Sequence, residues 1–318
     1  MADEVILHWY PASPFSQKVA WALNYKNVDY KTVTIPVIEP RPKRRPLDGG
    51  YRKTPILQIG NHVYCDSKRI LDEIEKRYPE PSLYPKTRGG QPSEALGKGL
   101  ARWLDSTLFM TIASQFDTSL LPEKFLKDRA SFAGQSAFSG DPYLHSELYG
   151  QLELAQKLVP TTNNNETLWI LDTPTLSMAD LHLAMDSFFA TNVLGGDFIE
   201  RFPRLSEHMD QVVAAIQFSR TEEMPELTAD EALAVAKKHR GANAVIENPV
   251  SESSKVTVGQ LVSVIPTDTG KVPSIGKLLT LNTQEIVIEH TNTEADVQSI
   301  IHFPTIGHVV MPVAQEKL

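Results

Sequence analysis

The segment WYPASPFSQKVAWAL, residues 9–23, decides the fold of the N-terminal part of this chain. An apolar run ends at Tyr10, and an amphipathic stretch begins only three residues later. Ser13 followed by Pro14 is a strong helix start, because a serine hydroxyl caps free N–H groups and proline needs no N–H at the first helical position. The segment therefore predicts a strand, a tight connection and a helix whose N-terminus is suited to an anion.

Elements of alternating type surround this segment within residues 1–85. Short apolar or β-branched runs predict four strands, EVILHWY (4–10), VDYKTVTI (28–35), PILQIG (55–60) and HVYCDS (62–67). Apolar residues at helical spacing predict helices over 14–26 and 68–78. Gly60-Asn61 between the last two strands is typical of a hairpin turn. The resulting order, βαβ, a loop, then ββα, is that of a thioredoxin-like α/β domain.

The rest of the chain changes character twice. Residues 92–222 hold long amphipathic runs that predict an all-helical domain, in which Ser177 and Asp180 form a capping box. Residues 225–318 predict a helix with its own box at Thr228 and Glu231, followed by five short alternating strands. A lone sheet of this size is marginally stable, so we expect this β-rich extension to pack against the helical domain.

Composition excludes several classes of protein. The chain has 318 residues, a net charge of −8 and a single cysteine, Cys65, which excludes an internal disulfide framework and a thiolate-rich metal site. The start is acidic, unlike a signal peptide, and apolar runs are shorter than the roughly 18 residues that a membrane helix needs. We therefore expect a cytoplasmic protein without a bound metal, and we interpret His302 and His308 as surface or core residues. The basic run at 41–45 is expected to be a solvated loop, with help in attracting an anionic ligand as the alternative, and it is too short for a nucleic-acid groove.

Three short motifs together resemble the glutathione transferase superfamily. Ser-Pro-Phe (13–15) follows the first strand as the serine motif of the plant tau class does. Lys-Thr-Pro (53–55) stands where the family has Lys-Val-Pro with a cis-proline, and Asp-Ser (66–67) stands before the third helix. The resemblance covers residues 4–216, and the extension is similar to one in fungal glutathione-transferase-like proteins. It implies a thioredoxin-like α/β domain, an all-α glutathione-transferase-type domain and a small β-rich C-terminal domain.

The resemblance also implies which residues hold glutathione as co-substrate. Ser13 would stabilise the thiolate, with Tyr10 as the alternative hydroxyl donor. Asp66 would pair with the α-amino group and Ser67 with the γ-glutamyl carboxylate. The remaining contacts would be Lys53 on the glycyl carboxylate and the Thr54 backbone, before Pro55, on the cysteinyl amide. The long insertion before Lys53 departs from the family pattern, and it leaves open a glycyl contact through Arg52 or none.

The function implied is transfer of glutathione to a hydrophobic electrophile. A glutathione-dependent isomerase and a non-catalytic binding or regulatory module on the same fold stay open as alternatives. Serine at position 13, where thiol-transferring relatives carry cysteine, disfavours reductase chemistry. The resemblance further implies a homodimer, and an acceptor pocket lined in part by the apolar face of residues 100–116, with Arg102 and Asp105 as exposed candidates in the cleft.

Overall fold

The computed structural model of the protein describes residues 4–133, 142–161, 168–241 and 255–313. Strands in these residues form one nine-stranded sheet. They are β1 (Val5–Trp9), β2 (Lys31–Thr34), β3 (Ile56–Ile59), β4 (His62–Cys65), β5 (Leu261–Pro266), β6 (Ser274–Leu281), β7 (Glu285–Asn292), β8 (Val297–Pro304) and β9 (His308–Pro312). The strand order across the sheet is β2-β1-β3-β4-β8-β7-β6-β5-β9.

Helices lie mostly between β4 and β5 in the chain. The described residues contain α1 (Pro14–Tyr25), α2 (Arg45–Asp48), α3 (Ser67–Arg77), α4 (Glu94–Trp103), α5 (Phe109–Ala113), α6 (Glu123–Ala133), α7 (Pro142–Gln156), α8 (Met178–Leu194), α9 (Gly196–Arg201), α10 (Pro203–Ala215), α11 (Arg220–Glu223) and α12 (Ala229–Lys238). A π-helical turn, Leu104–Leu108, joins α4 to α5, and short 3₁₀ turns occur at Thr118–Leu120 and Ile170–Asp172. Every described helix is too short or too polar to cross a lipid bilayer.

The first four strands have the predicted thioredoxin-like topology. β1 pairs with β2 in parallel across the α1 crossover, and β3 is antiparallel to both β1 and β4. The predicted fold class is therefore confirmed, and the five predicted strands of the extension are also present. Both predicted capping boxes, at Ser177/Asp180 and at Thr228/Glu231, are formed.

The placement of the extension differs from the prediction. Its strand β8 runs parallel to β4, with Val63 opposite Ile301, so the extension lengthens the first sheet, and it contacts the helical domain where Gly270 donates to the Phe132 carbonyl of α6. The expectation that the strands dock on the helical domain was wrong because β4 is the edge of the thioredoxin-like unit, and an unpaired edge offers a row of backbone hydrogen bonds to another strand. The sequence also predicts polar connections at 163–165 (NNN) and 247–254 (ENPVSESS), and both lie outside the described residues.

α12 covers the second face of the first sheet. Ala232 packs with Ile6, Val33 and Ile35 in one buried cluster, whereas Leu7 and its neighbours pack with α1 and α3 on the opposite face. A four-residue helix, α2, is too short to cover the sheet, and it packs on β8 instead, where Ser299 Oγ donates to the Pro46 carbonyl. The extension thus supplies both a strand that pairs with the edge of the N-terminal domain and a helix that covers its second face.

Candidate functional site

The sheet topology brings the three motifs to one end of the N-terminal domain. β1 ends at Trp9, and its antiparallel partner β3 begins at Ile56, directly after Thr54-Pro55. Cys65, the last residue of β4, lies opposite Ile56, so Asp66 follows at the same end. The Ser-Pro-Phe, Lys-Thr-Pro and Asp-Ser motifs therefore lie at the same end of the sheet, although their first residues are up to 53 positions apart in the chain.

Ser13 is the N-cap of α1 at this end of the sheet. It is buried, its backbone is extended, and its Oγ accepts a hydrogen bond from the Ser16 N–H at 3.3 Å. Gln17 fixes the connection before the cap, since its side chain donates to the Pro11 carbonyl at 2.7 Å. Capping uses a lone pair of the Ser13 oxygen, so the hydroxyl hydrogen stays able to donate to an anion at the helix N-terminus.

Tyr10, the alternative donor, lies in a different environment. Its ring is partly buried against the Ile6–Val33 cluster beneath α12. The α1 side of the sheet is lined instead by Leu7 and Trp9. Since successive strand residues point to opposite faces, this packing favours Ser13 over Tyr10 as the hydroxyl donor.

Asp66 is held in an ionised, strained position at the start of α3. It has a positive φ of 72°, and its side chain accepts from the Lys68 N–H at 3.0 Å. Burial opposes ionisation, but the charges of Lys68, Lys53 and His308 outweigh it and lower the pKa of Asp66. Ser67 beside it is buried as the first residue of α3. Left-handed backbone in a non-glycine residue is common at ligand sites, and a buried carboxylate here suits a cationic group.

The Lys-Thr-Pro motif is positioned by an arginine from the insertion. The Thr54-Pro55 bond is cis, and Thr54 Oγ1 accepts from Arg44 Nη1 at 2.9 Å. Arg44 also donates to the Tyr51 carbonyl at 2.6 Å. Lys53 Nζ lies 2.6 Å from Asp268 Oδ1, on the loop between β5 and β6, and 3.9 Å from Asp66 Oδ2.

The basic run at 41–45 is solvated only in part: Lys43 is exposed, but the prediction of a solvated loop is wrong for Arg41 and Arg44. Arg41 and Arg44 are buried, and Arg41 donates to the carbonyls of Pro36, Val37 and Arg52. A guanidinium group has five fixed donors, so it replaces regular secondary structure as the partner of these backbone groups. Composition identified the charges but carried no signal that they turn inward.

Arg52, the alternative contact for the glycyl carboxylate, is already paired. Its Nη2 lies 2.9 Å from Asp128 Oδ1 and also donates to the Asp128 carbonyl on α6. This pairing fixes the insertion to the helical domain. Lys53 is paired as well, with Asp268, but it also lies 3.9 Å from Asp66 of the Asp-Ser motif, which favours Lys53 of the two.

An aromatic row leads from α1 into the helical domain. The Phe15 and Phe109 ring centroids are 4.7 Å apart, and those of Phe109 and Phe189 are 4.9 Å apart. All three rings pack against the cores of the first two domains, and Met110 beside them is exposed. The row begins two residues after Ser13, so an apolar compound in contact with it would lie close to the α1 N-terminus.

Asp105, predicted as an exposed residue of the cleft, is buried. It accepts from Lys18 Nζ at 2.6 Å and lies 2.7 Å from His182 Nδ1. Burial opposes its ionisation, but His182 and Lys18 lower the pKa of Asp105. The prediction was wrong because Asp105, on the π-helical turn, faces Lys18 of α1 and His182 of α8 rather than solvent.

Two residues of the extension also reach the site, and sequence reasoning missed both. They are Asp268, which pairs with Lys53, and His308, whose ring stacks on Tyr51 with centroids 6.3 Å apart. Only the continuity of the sheet brings them there. Cys65 is buried in the core as expected, and burial raises the pKa of its thiol. Across the described ranges, His, Cys, Asp and Glu side chains form no group of three arranged to hold a metal ion.

Comparison with known proteins identifies relatives of this chain. Residues 7–82 match the family described as glutathione S-transferase, N-terminal domain. A probable glutathione S-transferase from Solanum tuberosum is 32% identical over 74 residues, which are 23% of this chain and 34% of that protein. One from Nicotiana tabacum is 29% identical over 153 residues, 42% of this chain and 65% of that protein. The matches thus span less than two thirds of these relatives.

A solved structure resembles nearly the whole chain. It is a GST-like protein from Pseudomonas syringae with 27% sequence identity and a TM-score of 0.70. The alignment covers 97% of this chain and all of the other. The likeness therefore includes the β-rich extension as well as the two domains before it.

Proposed function

The chain belongs to the glutathione transferase superfamily, and on this premise we propose that it binds glutathione beside Ser13 and adds the thiolate to a hydrophobic electrophile. The observation that carries this proposal is the buried Ser13 hydroxyl at the N-terminus of α1. Its cap bond leaves the hydroxyl hydrogen available to an anion. Serine, unlike cysteine, forms no mixed disulfide, so addition rather than thiol exchange is the chemistry that fits.

The thiolate must be stabilised for this chemistry to run at neutral pH. A free thiol with a pKa of about 8.5 is only a few per cent ionised there. A hydrogen bond to a charged acceptor contributes roughly 1.5–3 kcal/mol, which lowers a thiol pKa by about one to two units. The free N–H groups and the positive dipole end of α1 add to this effect. Ser13 thus supplies enough stabilisation to make the thiolate abundant.

The remaining motif residues match the other groups of the tripeptide. The ionised, buried Asp66 suits the α-amino group, and Ser67 suits the γ-glutamyl carboxylate. The Thr54 backbone before Pro55 suits the cysteinyl amide, and Lys53 suits the glycyl end. The thiolate sulfur then forms a bond to the electrophilic carbon, which expels its leaving group or passes its electron pair to an adjacent acceptor that takes up a proton.

The acceptor side is apolar in this proposal. Phe15 follows Ser13 by two residues, and its ring contacts the ring of Phe109. These two rings favour a hydrophobic or aromatic electrophile. A glutathione-dependent isomerisation would use the same thiolate reversibly, and turnover assays distinguish it from transfer by the product. The homodimer and the cytoplasmic location stay predictions.

Replacement of Ser13 tests the proposal. We expect Ser13→Ala to lower the rate of conjugation of an activated aryl halide by about tenfold or more, because one charge-assisted hydrogen bond is lost. Ser13→Thr, which keeps a hydroxyl, should retain more of the rate. Calorimetry of the unmodified chain with glutathione should be done first, because an absence of binding would contradict the proposed function.

A matched control separates catalysis from helix capping. Thr228→Ala removes the N-cap of α12, which also costs about 1 kcal/mol but lies far from Ser13 in the chain and caps the helix on the other sheet face. It should lower the melting temperature about as much as Ser13→Ala and leave the conjugation rate near that of the wild type. Equal rates in Ser13→Ala and wild type would contradict the role of Ser13 and favour Tyr10.

A further inference from the structure

The loop between β5 and β6, residues 267–273, reaches the glycyl end of the proposed glutathione site. Asp268 on this loop accepts from Lys53 Nζ at 2.6 Å. The loop is anchored on both sides of Asp268. Thr267 donates its backbone N–H to the Gly307 carbonyl at 2.9 Å, and Gly270 donates to the Phe132 carbonyl at 2.8 Å. The extension therefore holds a carboxylate beside the lysine assigned to the ligand.

Unpartnered polar atoms at the same end form a second, independent observation. His308 is 8% exposed, and both of its ring nitrogens lack a hydrogen-bond partner among the residues that the structure describes. The hydroxyl of Tyr51, on which the ring stacks, is buried and lacks one as well. Burial lowers the pKa of His308, and the nearby charges of Asp66 and Lys53 act on it in opposite directions. Buried polar groups are nearly always hydrogen-bonded in folded proteins, so a water molecule or a polar ligand group is expected as the partner of these atoms.

We propose that Asp268 sets the specificity of this site at the glycyl end, and that the site favours a glutathione whose glycyl carboxyl is an amide over the free carboxylate. The inference rests on the proposed function, since it takes Lys53 as the glycyl contact. A free carboxylate must displace Asp268 from Lys53 or lie beside a like charge. An amide instead satisfies both residues, because its carbonyl oxygen accepts from Lys53 while its N–H donates to Asp268.

The expected size of this ligand preference follows from the solvent exposure of the Lys53–Asp268 pair. The Lys53 side chain is 16% exposed and that of Asp268 is 60% exposed, so solvent screens their interaction. Ion pairs of this kind contribute enough to change an affinity by about twofold to fivefold. Asp268 is thus a selective contact that is too weak to abolish binding of the carboxylate.

The test is a calorimetric titration of the full chain with two ligands, glutathione and its glycyl carboxamide. We expect the wild type to bind the carboxamide about twofold to fivefold more tightly than glutathione. Asp268→Asn should tighten the binding of glutathione by a similar factor and so remove the preference. Asp296→Asn is the matched control, because it removes one exposed carboxylate of the extension that pairs with Arg240. That variant should keep the wild-type preference.

Each other result overturns the proposal in a distinguishable way. Equal affinities of the wild type for both ligands, or a preference for free glutathione, would show that Asp268 does not select at this end. Loss of affinity for both ligands in Asp268→Asn would assign Asp268 only to the positioning of Lys53. If neither ligand binds any of the three proteins, the proposed function itself has failed. Melting temperatures of the variants show whether the fold is retained.

Discussion

The two halves of the sheet are buried in different ways. In the half formed by β1 to β4, helices cover both faces, and all five residues of β1 are buried. In the half formed by β5 to β9, β8 beside β4 is still buried at seven of its eight residues, but β6 alternates between buried and more exposed residues. Large apolar side chains such as Ile275 and Met311 are more than 40% exposed on this half. One sheet thus combines a two-sided and a one-sided packing arrangement.

This difference explains why a second covering helix is needed. Strands buried on both faces read as nearly continuous apolar runs, as in VILHW of β1, whereas strands with one solvated face alternate, as in SIGKLLTL of β6. The insertion leaves only the four-residue α2 after β2. Because Ile6 and Val33 still point to the second face, α12 from the extension covers them. The N-terminal domain therefore depends on Ala232, which lies 199 residues after Val33 and 226 residues after Ile6 in the chain.

Truncation after residue 222 is expected to have the largest effect. It removes α12 from Ile6 and Val33 and removes β8 from the edge of β4. We expect the remaining chain to aggregate, or to melt more than about 10 °C below the full chain, in size-exclusion chromatography and thermal melts.

A second truncation, after residue 241, separates the two causes. It keeps α12 but removes the five strands of the extension. If burial under α12 stabilises the N-terminal domain more than pairing with the extension strands does, this shorter deletion should lower the melting temperature less. Equal behaviour of the residue-222 truncation and the full chain would contradict the dependence of the first half on the extension.

Truncation of single isoleucines compares the two halves directly. Ile6→Ala removes a fully buried side chain beneath α12, and we expect a loss of about 2–5 kcal/mol in the free energy of unfolding. Ile275→Ala, the matched change on the open face of β6, should cost no more than about 0.5 kcal/mol because that side chain is 43% exposed. Urea denaturation measures both values. Similar losses would mean that the open face is covered in solution.

Local patterns predicted the elements well but not how they assemble. The strands of both halves, the start of α1 and the boxes at Ser177 and Thr228 follow from short-range periodicity and capping chemistry. Pairing of β4 with β8 joins Val63 to Ile301, more than 200 residues apart, and the chain carries no local signal for such a choice. The sequence pattern of an edge strand is the same whether the strand stays at the edge or pairs with a strand of another unit.

The site was predictable to the extent that it is local. Ser13, Thr54-Pro55 and Asp66-Ser67 lie at one end of the sheet because each follows or precedes a predicted strand. Asp268 and His308 join them only through the assembled sheet, and Arg44 only through the fold of the insertion. The polar types of these residues were visible, but their partners are set by tertiary structure.

The smallest expected effect concerns pH and the buried histidine of the two-sided half. His8 in β1 lies beneath α12, with Nε2 2.9 Å from Gln58 Oε1, and Gln58 donates in turn to the Ala232 carbonyl. Gln58 Oε1 only accepts, so Nε2 carries the hydrogen and a second proton would go to the buried, unpartnered Nδ1. Burial accordingly lowers the pKa of His8 to about 4, although the Gln58 bond opposes this.

This lowered pKa predicts a loss of stability in mild acid. Between about pH 4 and 6.5 the unfolded chain binds a proton at His8 that the folded chain does not, so stability rises with pH in this window and is lost as pH falls. At pH 5 the free energy of unfolding is expected to be about 2 kcal/mol lower than at pH 7.5, because pH 5 lies about 1.5 units below the ordinary histidine pKa of 6.5. His8→Gln, which keeps an N–H donor for Gln58, should reduce the acid loss by that amount in urea titrations at both pH values. His290→Gln on β7, in the one-sided half, should leave the wild-type pH dependence in place, and an unchanged pH dependence in His8→Gln would contradict a buried, neutral His8.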